Sequence, residues 1–146
     1  QFGFGAVVAL THDVIFTLGI LCLFSIDFSL SSIAAILTIA GYSINDSVVI
    51  FDRIRENLRK YKKLELPDLF NTSINNTLSR TIMTSLTTLI ALLCLFFFGG
   101  EVIKPFAIAM IIGVIIGTYS SIFIAVPTLL IFKFRPQEED NNNKLI

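Results

Sequence analysis

The chain has 146 residues, 54% of them hydrophobic and 14 of them Phe, with a mean hydropathy of +0.80. A soluble domain of this size cannot bury that much apolar surface, so the expected class is an all-α integral membrane protein. Formal net charge is +0, and the one basic cluster abuts an apolar run, which leaves nucleic-acid binding without support.

A helix needs about 20 apolar residues to cross the hydrocarbon. Four runs qualify: residues 4–24, 30–51, 78–98 and 105–132. The first holds His12 and Asp13, the second holds Asp46, and the last is long enough to tilt or to bend at Pro127. Cys22 and Cys94 sit in apolar runs without metal or redox spacing and read as packing or lipid-facing residues. A single His supplies no zinc ligand set. No hydrolytic triad or phosphate loop is present, so no catalytic residue, cofactor or metal is expected, and the chain does not read as an enzyme. It has no initiator Met and runs almost at once into an apolar segment, which suggests a piece of a longer protein.

Charge placement orients the spans. Arg53, Arg55, Arg59, Lys60, Lys62 and Lys63 lie between the second and third runs, and Lys133 and Arg135 follow the fourth. The opposite side carries only Asp27 in one turn and Glu101 with Lys104 in the other. Both ends and the middle loop are therefore expected in the cytoplasm. In that loop Ile54, Leu58 and Tyr61 fall at helical spacing among the cations. This suits a short amphipathic helix on the inner membrane surface, near anionic lipid; a solvated connector that only sets topology fits equally. Pro67 fits the first turn of a second short helix leading into the third span. Residues 136–146 form a polar tail expected to be disordered.

Small residues mark faces where membrane helices approach closely. Ala109, Gly113, Gly117, Ser121 and Ala125 recur every fourth residue in the fourth span and read as helix packing. Gly5, Ala9, Asp13 and Thr17 make a similar row in the first, so Asp13 should point into protein. Thr77, Thr81 and Ser85 form one hydroxyl row of the third span, with Arg80, Thr84 and Thr88 on the next. Thr38, Tyr42, Asn45 and Asp46 share one side of the second. At 1.5 Å per residue, Asp46 lies about 9 Å from Asp52, which marks the inner boundary.

An acid within a span is a functional-site candidate with a partner to be named. The partner expected for Asp46 is Arg80. A carboxyl poised between hydrocarbon and an arginine can take up and release a proton, and neighbouring hydroxyls can hold water or pass hydrogen bonds. His12 could titrate near neutrality, or face elsewhere. Two plainer readings stand beside this: a static Asp46–Arg80 ion pair locking two helices, and Arg80 as an interfacial anchor.

The blocks ALTHDV, TIAGYSINDSVVIFDRIREN, TLSRTIMTSLTTL, FFFGG and IGTYSSIFIA resemble successive blocks of the SecF group of the bacterial SecD/SecF protein-export family. The similarity runs over residues 4–132, in the family's order and spacing, and SINDSV differs from the block usual in SecD. The resemblance implies a proton-coupled membrane protein of the RND superfamily with six spans and a periplasmic domain, of which these are the last four spans. It implies residence in the bacterial inner membrane and association with SecD, the SecYEG channel, YajC, YidC and membrane lipid. Contact with the translocating preprotein would run through the periplasmic domain. It implies a proton relay through Asp46 and Arg80, with Asp13 in a His-Asp block; His12, Tyr42, Asn45, Thr81, Thr84, Ser85 and Thr88 are the supporting polar residues that the helix faces supply. The alternatives are a fragment of an RND-type small-molecule exporter and a purely structural membrane subunit.

Overall fold

The computed structural model describes residues 2–26, 28–62 and 64–131. The polar tail, Phe132, Lys133 and Arg135, and also Asp27 and Lys63, lie outside the described residues. The described chain is helical: α1 (Phe2–Leu23), α2 (Leu30–Lys60), α3 (Leu66–Phe98), α4 (Lys104–Ser120), a π-helical turn (Ser121–Ala125) and α5 (Val126–Ile131). α1, α2, α3 and the α4–π–α5 rod are each long and apolar enough to cross a membrane. The four expected spans are therefore the four helices of the bundle.

α2 and α3 are longer than a span. Their 31 and 33 residues extend about 47 Å and about 50 Å, against about 30 Å of hydrocarbon. The amphipathic segment read between spans two and three is thus not a helix of its own. Its Ile54 and Leu58 lie on the continuation of α2, and Pro67 starts the same helix that becomes the third span. Nor does its apolar stripe turn to lipid headgroups. Ile54 is fully buried with Leu69 and Phe70 of α3, and Leu58 packs against them; only Tyr61, at the C-cap, is exposed. Asn57 donates to Ser73 Oγ at 2.8 Å within this buried seam.

α2 and the fourth rod form the middle of the bundle, since each packs on the other and on both α1 and α3. Ala109, Gly113, Gly117, Ser121 and Ala125 are all buried. A methyl group at Gly113 would run into the Ile39 side chain, so Ile39 of α2 packs directly on the α4 backbone there. The π turn ends just before Pro127. Proline has no N–H for the carbonyl of residue 123 and its ring crowds that carbonyl. A wider turn immediately upstream relieves both, which explains why the helix loosens there instead of stopping.

Two apolar cores result. One holds Ala9, Ile50, Phe51, Ile54, Leu69, Phe70, Ala125, Val126 and Leu129, towards the basic C-terminal end of α2 and the start of α3. The other holds Leu21, Ala35, Ile39, Leu92, Ala109, Met110 and Val114. Between them, on every helix, the sequence turns polar.

Candidate functional site: a buried polar layer centred on α2

The layer comes from one stretch per helix: 12–17 on α1, 42–47 on α2, 77–85 on α3, and 117–121 at the end of α4 and the start of the π turn. Asp13, Thr17, Ser43, Asp46, Ser47, Thr77, Thr81, Ser85, Ser120 and Ser121 are all buried. Polar groups taken out of water must find partners, and here most find them across helices.

Residues 42–47 of α2 reach all three neighbours. Ser43 Oγ donates to Asp13 Oδ2 on α1. Ser47 and Ser121 share a hydrogen bond of 3.4 Å with the π turn. Tyr42 donates to Ser85 Oγ on α3 at 3.1 Å, and Ser85 in turn lies 2.7 Å from Thr118 Oγ1 on α4. Thr81 Oγ1 donates to Asp46 Oδ1 at 3.4 Å. His12 Nδ1 lies 3.1 Å from Asp13 Oδ1. Both acids are therefore in the layer, Asp13 fully buried and Asp46 7% exposed.

The expected Asp46–Arg80 contact is absent. None of the ion pairs among the described residues joins them, and Arg80 is exposed. Its charge acts on Asp46 only at longer range. Helical phase is the reason. Arg80 and Thr81 are adjacent, about 100° apart on α3, and the residue that faces α2 is Thr81. Asp46 Oδ2 consequently has no hydrogen-bond partner, and neither do the buried hydroxyls of Thr17 and Ser120. The static ion-pair lock is not formed in this conformation.

The hydroxyl rows of α3 divide likewise. Thr77, Thr81 and Ser85 are buried, while Thr84 and Thr88 are half-buried and donate to carbonyls of their own helix, at 3.0 Å and 2.8 Å. Asn45 is exposed, as is Thr38, which bonds back to the Ala34 carbonyl. Sequence reasoning passed over Ser43, Ser47 and Thr118 as partners. The i, i+4 spacing of Ser43 and Ser47 on either side of Asp46 was the available signal.

Residues 1–135 match the family model described as protein export membrane protein SecD/SecF, C-terminal. The protein translocase subunit SecF of Rickettsia rickettsii (strain Sheila Smith) is 60% identical over 131 residues, covering 90% of this chain and 42% of that protein. The protein translocase subunit SecF of Rickettsia akari (strain Hartford) is 57% identical over 145 residues, covering 99% of this chain and 46% of that protein. The chain thus spans less than half the length of these curated relatives. Among solved structures, the crystal structure of SecDF from Thermus thermophilus, described as a translocon-associated membrane protein, matches with a TM-score of 0.87 and 49% identity. That match covers 90% of this chain and 18% of the SecDF chain.

Proposed function

The chain belongs to the SecD/SecF family of protein-export membrane proteins, and from that premise we propose that it is the membrane portion of a SecF-type subunit that couples the proton-motive force to preprotein export. The observation that carries the coupling is Asp46: a carboxyl within a span, 7% exposed, with one donor at 3.4 Å and one oxygen left without a partner. An acceptor so incompletely satisfied is a place where a proton, a water or a moving cation improves the energy.

The mechanism follows from the groups around it. Protonation of Asp46 at its unpartnered Oδ2 removes the charge that attracts Arg80 and weakens Oδ1 as the acceptor that holds Thr81. α2 and α3 then shift relative to each other, and deprotonation draws them back. In the full-length protein this motion would drive a periplasmic domain. The same reading places the protein in the bacterial inner membrane, with the basic C-terminal end of α2 and the start of α3 in the cytoplasm. Its expected partners are SecD, SecYEG, YajC and YidC.

The test is proton-motive-force-dependent preprotein export in membrane vesicles carrying the full-length protein with Asp46→Asn. Export should fall to the level seen without a proton-motive force, at normal protein level and assembly. Retained stimulation would make Asp46 structural and sink the coupling role.

A further inference from the structure

We propose that His12 and Asp13, positioned by Ser43, form a second proton-holding site that keeps one proton near the centre of the membrane without net charge. Asp13 sits at the middle of the 22-residue α1, about 16 Å from either end at 1.5 Å per residue. It is fully buried, and both of its oxygens are engaged: Oδ2 by Ser43, Oδ1 by His12 Nδ1 at 3.1 Å. Gly117 of α4 lies alongside: a Cβ there would be in ordinary contact with Oδ2, at 3.7 Å.

The charge balance decides the chemistry. An isolated carboxylate at this depth is expensive. Among the described residues the only titratable group in contact with Asp13 is His12. From α2 it meets Ser43; Tyr42 and Asp46 point to α3 instead. From α4 it meets Gly117. Two arrangements keep the pair neutral: carboxylic acid with imidazole, and carboxylate with imidazolium. They differ by one proton moved across the 3.1 Å contact, with no net charge created in the hydrocarbon; loss of the proton leaves one negative charge, which the Ser43 hydroxyl and the Nδ1 hydrogen of His12 hold.

His12 is the outer member of the pair. Its side chain is 24% exposed where that of Asp13 is 0%, and its ring is held against Phe16 with centroids 4.3 Å apart. An arriving proton binds Nε2, and the Nδ1 proton passes to Asp13 Oδ1. The carboxylate becomes the acid, and the ring is left neutral with its hydrogen on Nε2. Release reverses both transfers. Ser43 lies three residues before Asp46 on α2, so the two acids share one rigid element. Any link to export rests on the function proposed above; the proton-holding itself does not.

The experiment is infrared difference spectroscopy on the full-length protein in lipid vesicles, with carboxyl-labelled aspartate, stepping the external pH and exchanging into deuterium oxide. A protonated-carboxyl band should appear that is missing in Asp13→Asn and moved in Asp13→Glu. His12→Phe should slow its deuterium exchange about a hundredfold, the scale of a lost acid–base group. Unfolding would speed exchange, so a slower rate cannot come from a damaged fold. Ser43→Ala should shift the band, and Ser43→Thr should restore it. The absence of an Asp13 band, or exchange in His12→Phe at the wild-type rate, overturns the proposal. Normal export in Asp46→Asn together with the expected Asp13 band would sink the coupling role and leave this site standing.

Discussion

Gly113 and Gly117 lie one turn apart on α4 and are both buried, yet they meet different neighbours. A methyl group at 113 would overlap the Ile39 side chain, its branch methyl included. Ile39 is 1% exposed and β-branched, so it cannot swing away. At 117 the nearest atoms are Ser43 Cβ at 3.6 Å and Asp13 Oδ2 at 3.7 Å, which is ordinary contact. Each Gly→Ala change gains the same helix propensity, about 1 kcal/mol. Only the change at 113 overpacks the interior, at about 1–3 kcal/mol. Propensity cancels in the comparison, so Gly113→Ala should be about 1–3 kcal/mol less stable than Gly117→Ala. The assay is a reversible denaturant titration of the two full-length variants in mild detergent. Stabilities equal within about 0.5 kcal/mol, or the opposite order, would refute the direct packing of Ile39 on the α4 backbone at Gly113.

Asn57→Ala should destabilise by about 1 kcal/mol, at the modest end because Ser73 keeps its bond to the Leu69 carbonyl; the same titration measures it. Thr81→Val removes the only donor to Asp46 among the described residues, and proton-driven export should drop about tenfold or more, whereas Thr81→Ser should retain it. Unchanged export in Thr81→Val would detach that hydrogen bond from coupling. For topology, a single cysteine replacing Lys62 should react with an impermeant thiol reagent only from the cytoplasmic side, and one replacing Glu101 only from the other; the reverse pattern would overturn the orientation.

The spans were legible because uninterrupted apolar length has one meaning in a membrane. The loop between the second and third was not, because an apolar stripe among cations suits a lipid surface and a protein seam alike. Its phase held the answer: Ile50, Ile54 and Asn57 continue one buried face straight through Asp52. The two intramembrane acids stood out by charge. Their partners did not, since serines such as Ser43 and Ser47 are common wherever membrane helices pack. Arg80 was read as the partner of Asp46 on charge alone, while the row of small hydroxyl residues ending at Ser85 showed which face of α3 turns inward.

The position of the polar layer gives it mechanical leverage. Apolar cores lie above and below it, so little water can enter to solvate a new charge or replace a lost hydrogen bond. A change of charge at either acid must then be met by neighbouring side chains and helices. Most of the contacts that could respond originate within residues 42–47, less than two turns of α2. Over that length a helix moves as a unit. A displacement that frees Thr81 from Asp46 therefore also strains the contact of Ser43 with Asp13 and that of Ser47 with the π turn. The π turn is the one place where the rod opposite has already given up regular hydrogen bonding, so it is where such a displacement meets least resistance.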